Sequence, residues 1–220
     1  MDIVAYIAKN YPLILRLTGQ HVSIVGVAVA AAILTGVPLG ILIAQSRRLA
    51  GFALNLAGGI MTIPSIALFG FMIPILAVIN QGIGFLPAAI AVFLYSQLPI
   101  VQNTYTAITG IDPALREAAD GMGMTRLQRL ARVEIPCALP VVMAGIRVAV
   151  VLNIGVTAIA AYIGAGGLGL LIRGGITQTD PRQVITGALA VSLLALAADW
   201  LLGRAERWLT PRGMAGARRA

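Results

Sequence analysis

A single cysteine, a single histidine and a single lysine leave this chain without several kinds of chemistry. Cys137 alone makes no internal disulfide and no thiolate metal cluster. His21 alone cannot build a histidine-rich metal site. Lys9 follows Ala8, so no Walker A phosphate loop is present and the chain cannot hydrolyse ATP through one. Charge is scarce as well: 11% of residues are charged, with none between Arg16 and Arg47 and none between Arg48 and Asp112. A bilayer-crossing helix needs roughly 20 apolar residues. The second gap, 63 residues from Leu49 to Ile111, has room for two or three crossings. A soluble core of this size would need charged residues for an outer face, and these segments hold none. The chain reads as an integral membrane protein. Strand-period alternation is absent, and helices satisfy their own backbone in lipid, so the predicted fold is all-α, a polytopic bundle of about five transmembrane helices.

The net charge of +8 does not point to nucleic acid. Arg204, Arg207, Arg212, Arg218 and Arg219 follow the last apolar segment, with no interleaved aromatics to stack on bases. They read as a topology signal under the positive-inside rule. The apolar run from Leu17 to Ser46 is too long for the core of a signal peptide and reads as a retained span.

Residues 1–19 mix apolar and polar side chains and read as a short interfacial segment broken near Pro12. The first span, about 20–45, carries Ala28, Ala32, Gly36 and Gly40 at steps of four. That small-residue face permits close helix approach, within the chain or to a partner. The second span, about 52–80, contains Pro64 and Pro74, and the third, about 84–108, contains Pro99. These prolines free the carbonyls of Ile60, Gly70 and Tyr95, which sit comfortably only against protein or a wet cavity. A fourth span, about 139–163, aligns Gly145, Ala149, Asn153, Thr157 and Ala161. Asn153 and Thr157 either bond between helices or line a pathway. A glycine-rich, turn-like stretch follows, then Asp180 and Pro181 as N-cap and first residue of a fifth span reaching about Leu202 and extending toward Thr210. Residues 20–203 thus form the transmembrane domain and 204–220 a basic tail.

Five spans place the two ends on opposite sides. With the tail cytoplasmic, twelve of the sixteen Lys and Arg residues fall inside; Lys9, Arg16, Arg173 and Arg182 fall outside. Arg147 and Asp199 then lie at similar depth near the inner face and are expected to pair.

The loop over residues 111–136 is the one internal place where charge collects: Asp112, Arg116, Glu117, Asp120, Arg126, Arg129, Arg132 and Glu134. Asp112 and Pro113 start a short helix that Gly121 or Gly123 stops. Thr125 and Gln128 fit a capping box for a second helix, ended by Pro136. Two sets of caps favour a docking device over a solvated connector.

The stretch "EAADGMGMTRLQRLARVEIP" resembles the EAA loop of bacterial ABC importer permeases. The pattern falls on Glu117, Ala118, Ala119, Gly123, Val133, Ile135 and Pro136. The resemblance implies a type I ABC importer permease fold in the bacterial inner membrane, with this loop as the cytoplasmic coupling device. It implies separate ATPase subunits that bind the ATP, a second permease chain and an extracytoplasmic substrate-binding protein. No cofactor in this chain is implied. The stretches "GVPLGIL", "TIPSIALFGFMIP" and "AYIGAGGLG" are similar to the osmoprotectant branch, whose importers take glycine betaine, carnitine or choline. Methionine importers share the loop and the "GGLG" element, so a methionine or other amino-acid permease is the alternative. Leu170 departs from the acid expected after "GGLG". Aromatic rings favour a quaternary ammonium; Tyr95, Tyr105 and Tyr162 are the tyrosines near the spans, as pathway groups or as interface anchors. A membrane-embedded enzyme and a purely structural subunit are the readings from other classes. The first is disfavoured by the lack of paired intramembrane carboxylates or a nucleophile constellation.

Overall fold

The computed structural model describes residues 2–209, and every regular element among them is helical. In chain order these are α1 (Ile3–Ile43), α2 (Arg47–Thr62), α3 (Ser65–Ala77), α4 (Phe85–Thr109), α5 (Pro113–Gly121), α6 (Arg126–Arg129), α7 (Ile135–Ile159), α8 (Gly169–Thr177) and α9 (Pro181–Leu209). A π-helical turn over Leu130–Glu134 joins α6 to α7 without a gap. Four helical stretches are long and apolar enough to cross a membrane, five with α2 and α3 taken together.

The centre of the bundle is α4, held between α1 and α7. Lipid offers helices little hydrophobic reason to associate, so close packing has to supply it. The small face of α1 does so within the chain: Ala28, Ala32, Gly36 and Gly40 are all buried. A Cβ on Gly40 would lie 2.5 Å from Thr104 Cβ and 3.0 Å from the Val101 carbonyl. On the other side of α4, a Cβ on Gly145 would lie 2.6 Å from both the Pro99 carbonyl and Asn103 Cβ. Both small-residue faces therefore close on α4.

Several boundaries differ from the sequence reading. No break occurs at Pro12; α1 runs through it. Leu13, Ile14 and Leu17 pack against Leu168 and Leu171, and this burial keeps the first turns in line with the rest. The second span is not one helix. It starts at Arg47, capped by Ser46, and bends by 98° between α2 and α3. Ile63 is extended (φ −70°, ψ 125°), as the residue before a proline prefers. Pro74 and Pro99, by contrast, stay inside α3 and α4. Nor does Pro136 end a helix. The π turn shifts the hydrogen bonds by one residue just before it, with Ile135 N–H donating to the Leu130 carbonyl, and the helix continues into the membrane. The glycine-rich stretch is only partly turn: Gly164, Gly166 and Gly167 take positive φ, but α8 follows at once. Asp180 caps α9 through the Arg182 amide, as expected. The helix is described to Leu209; the predicted end at Thr210 and the tail residues Arg212, Arg218 and Arg219 lie outside the described residues.

Gly155, also on α7, has nothing within 4 Å of an added Cβ. Gly145→Val should therefore destabilise the purified protein by about 1–3 kcal/mol, whereas Gly155→Val should be close to neutral. Thermal unfolding followed with a thiol-reactive dye, reporting on the lone Cys137, checks the contrast.

Candidate functional site: the charged arm and the broken helix

The charged loop folds as a braced arm. Asp112 Oδ1 accepts from the Ala114 amide at 2.9 Å and starts α5. Gly123, at φ +75°, turns the chain back, a conformation most side chains avoid. The Thr125–Gln128 capping box is present in both directions. Of the motif residues, Ala119 is buried against the arm's interior, while Glu117 and Ala118 face outward. Leu115, Met122 and Leu127 are exposed on the same arm. Ala119 thus sets the fold of the arm, and Glu117 remains available to a partner.

Four side chains lock the arm to the bundle. Asp120 takes both its contacts from Arg129 Nη1 at 2.5 Å. Arg129 Nε and Arg116 Nε each lie 3.2 Å from Glu134 Oε1. These last two are charge contacts rather than aligned hydrogen bonds. Arg116 also donates to the Ile108 carbonyl at 2.6 Å, near the end of α4. Glu134 is only 8% exposed and sits in the π turn that leads into α7. A buried carboxylate is tolerated when paired, and here the pairing ties α5, α6, α4 and α7 into one unit. The sequence reading passed over Glu134 and Arg116. A lone acid between Val133 and Ile135, at the entry of an apolar span, was the available signal, since such an acid needs a partner.

The residues nominated for a pathway are brought together only in part. Tyr95 donates its hydroxyl to the Ile63 carbonyl at the α2–α3 break. Asn153 donates to Ser96 Oγ and to the Ala149 carbonyl, each at 2.9 Å, so it does bond between helices. Tyr95 and Asn153 also line one cavity of about 270 Å³ at the break. Thr157 is fully buried one turn further on and does not line that cavity. Tyr162 is half exposed just beyond the end of α7, and Tyr105 packs beside Ile43 and Val101.

Arg147 and Asp199 form the expected pair, Nε to Oδ1 at 3.0 Å and Nη2 to Oδ2 at 2.9 Å. Glu206 adds a third member at 3.1 Å that sequence spacing did not indicate. Leu170 packs against the cluster of Leu17, Leu168 and Leu171, so an apolar contact stands where the acid was expected. Beside it, Gln20 accepts from the Gly167 amide at 3.1 Å, and His21 Nε2 meets the Ile154 carbonyl at 2.9 Å. These bonds fasten the glycine loop and α7 to α1.

The sequence pattern of the family described as "binding-protein-dependent transport system inner membrane component" matches residues 36–211. The chain is 56% identical over 97% of its length to the osmoprotectant import permease protein OsmW of Salmonella typhimurium, whose whole length is covered. It is 41% identical to the choline transport system permease protein OpuBB of Bacillus subtilis, covering 96% of this chain and 95% of that one. The glycine betaine/carnitine/choline transport system permease protein OpuCB of the same organism is 39% identical, over 98% and 97%. Among solved structures, an inward-facing MetNI methionine ABC transporter chain superposes with a TM-score of 0.83, at 22% identity, over 92% of this chain and 99% of that one. That likeness is one of fold.

Removing the charge of Glu134 leaves two arginines facing each other. Glu134→Gln should loosen the arm by roughly 1–3 kcal/mol, allowing for the partial exposure of both partners. Amide hydrogen exchange should rise across 113–134 while α1 and α9 keep their protection.

Proposed function

The chain belongs to the family of binding-protein-dependent transport system inner membrane components and is a permease subunit of an ABC importer; from that premise we propose that its cargo is a quaternary ammonium osmoprotectant, namely glycine betaine, carnitine or choline. As a permease it is not an enzyme and carries no cofactor; ATP is bound by the partner ATPase. It works in the inner membrane with ATPase and substrate-binding partners. The observation that carries the cargo reading is the 56% identity to an osmoprotectant import permease along the full length of that relative.

The finer assignments rest on the arm. Glu117, Ala118, Ala119, Gly123 and Pro136 form the coupling device, and a groove of an ATPase subunit receives it on the cytoplasmic side. The exposed Glu117, Leu115, Met122 and Leu127 make the contact face. Closure of the ATPases on ATP pushes the arm as one piece. Arg116 passes the push to α4 through Ile108, and Glu134 passes it to α7. Asn153 lies 18 residues along α7 from its start, about 27 Å away, so a rotation at the arm reaches the cavity at the α2–α3 break. Tyr95, Asn153 and Thr157 belong to the pathway region. The bias of Lys and Arg supports a cytoplasmic arm and C-terminus, an outer segment over residues 1–19, the transmembrane domain over 20–203 and a basic tail over 204–220. A second permease chain, identical or homologous, completes the conduit.

Two measurements test these proposals. In proteoliposomes holding the permease, its ATPase and its binding protein, ATP-dependent uptake should be seen with glycine betaine or choline and not with methionine; the reverse result overturns the cargo reading. Glu117→Lys should cut ATP-driven uptake about tenfold or more, consistent with loss of a few kcal/mol at a contact centre, with membrane insertion unchanged. Full uptake by that variant removes the arm from the coupling path.

A further inference from the structure

A second cavity, of about 480 Å³, lies between the arm and the bundle. Two membrane-crossing helices end at it: Ile41 and Ala44 line it from α1, Ile108 from α4. The 25 residues of α4 rise about 37 Å, more than a hydrocarbon core roughly 30 Å thick, so the end of this helix reaches the layer of lipid headgroups. The arm closes the other side with Arg116, Arg126 and Arg129. The cavity is therefore apolar toward the membrane helices and basic toward the arm.

These three guanidiniums share the lining with one carboxylate, Glu134, and their pairing leaves donors over. Arg116 spends Nε on Glu134 and Nη2 on the Ile108 carbonyl. Arg129 spends Nε on Glu134 and Nη1 on Asp120. Arg116 Nη1 and Arg129 Nη2 make no hydrogen bond among the described residues, and neither atom is buried. Arg126 is exposed and has no hydrogen bond or ion pair among the described residues, so all of its N–H donors are free. Like charges held around one space repel, and an anion placed among them relieves the repulsion. Glu134 alone does not supply that, because it is nearly buried and already engaged by two of the three.

We propose that this cavity is a cradle for a phosphate group at the membrane surface, the phosphodiester of an anionic phospholipid or the free ion, held by Arg126, Arg129 Nη2 and Arg116 Nη1. Planar guanidinium forks match phosphate oxygens two at a time. Basic pockets beside membrane helices on the cytoplasmic side take lipid headgroups, and the inference rests on the cytoplasmic placement of the arm to that extent. The wall of Ile41 and Ala44 favours the lipid, because it gives the methylenes next to the phosphate an apolar surface to cover. A group bound there joins the arm to the end of α1, which none of the arm's ion pairs reaches.

The test uses the complete importer in lipid nanodiscs and reads how fast phenylglyoxal modifies each arginine of the arm, by peptide mass spectrometry. Arg132 is exposed on the same arm but does not line the cavity, so it reports general attraction to a charged surface. Exchanging phosphatidylcholine for an equal mixture with phosphatidylglycerol should slow the modification of Arg126 about fivefold and that of Arg132 by less than about twofold. Inorganic phosphate added to phosphatidylcholine nanodiscs, against chloride at equal ionic strength, gives the same protection where the free ion is the occupant and none where the lipid is. Gln45 also lines the cavity; Gln45→Glu adds an acid there and should bring the protection of Arg126 to within about twofold. Equal protection of Arg126 and Arg132, or no protection from either source, overturns the cradle. So does an Arg126 already unreactive in phosphatidylcholine without phosphate, since the ATPase then covers it. Both leaflets of a nanodisc carry the lipid, so this readout holds whichever side the arm faces. Full uptake by Glu117→Lys would end the coupling reading of the arm and leave the cradle standing.

Discussion

A backbone carbonyl or amide in hydrocarbon with no partner costs several kcal/mol, and the placement of prolines in this protein follows from how that cost is met. Pro64 removes the donor that Ile60 would have used; the Ile63 amide takes its place, and the Ile63 carbonyl is in turn bonded by Tyr95. At Pro99 the freed carbonyl is that of Tyr95, and α4 stays intact; Asn103 donates to the Pro99 carbonyl at 2.7 Å one turn further on. Ahead of Pro136 the helix widens into a π turn, so its bonds are already out of register when the missing amide arrives. Three prolines thus give three outcomes: a right-angled break, an intact helix and a continuous helix with a wide turn.

The same accounting governs charge. Two clusters of paired charge hold membrane helices, one in the arm and one around Arg147. Arg147 would be expensive on α7 by itself. Asp199 and Glu206, one on each side of Gly203, enclose its guanidinium, and a Cβ on Gly203 would already lie 3.3 Å from Arg147 Cζ. Glu134 is the mirror case, an acid at the start of a span neutralised by two arginines of the arm. Both clusters fasten α7 to a neighbour, Glu134 at the entry of the helix and Arg147 midway along it.

Much of this was legible from residue order alone. The charge-free gaps gave the number of crossings. The step of four through Ala28, Ala32, Gly36 and Gly40 marked a packing face, and Asp112, Thr125, Gln128 and Asp180 marked helix starts, because caps are local chemistry. The unread parts depend on contacts distant in sequence. Whether a proline bends a helix is decided by a tyrosine 32 residues away or by a turn shifted by one bond. Pro12 passes unnoticed because Leu168 and Leu171 hold the helix that contains it. Helix α8 was hidden because three positive-φ glycines precede it and supply turn signals for the whole stretch. For the candidate site, the motif residues were readable, whereas Glu134, which does the bracing, occupies a position the motif leaves free.

The two functional regions also share a helix by construction. At its lower end α7 is seized by the arm through Glu134, and further up it presents Asn153 to the cavity while Gly145 keeps it pressed on α4. α4 is seized at the same end through Ile108 and carries Tyr95, which holds the α2–α3 break. A displacement of the arm therefore moves both walls of the cavity, and moves them relative to α3, which packs on the N-terminal half of α4 through Leu68 and Phe69. A helix interior is too stiff to absorb such a displacement along its length. The break at Pro64 is where the chain lacks a continuous ladder, so relative motion concentrates there. On this geometry the bent pair is the compliant element between two rigid ones, and the hydroxyl of Tyr95 tethers the bend to α4.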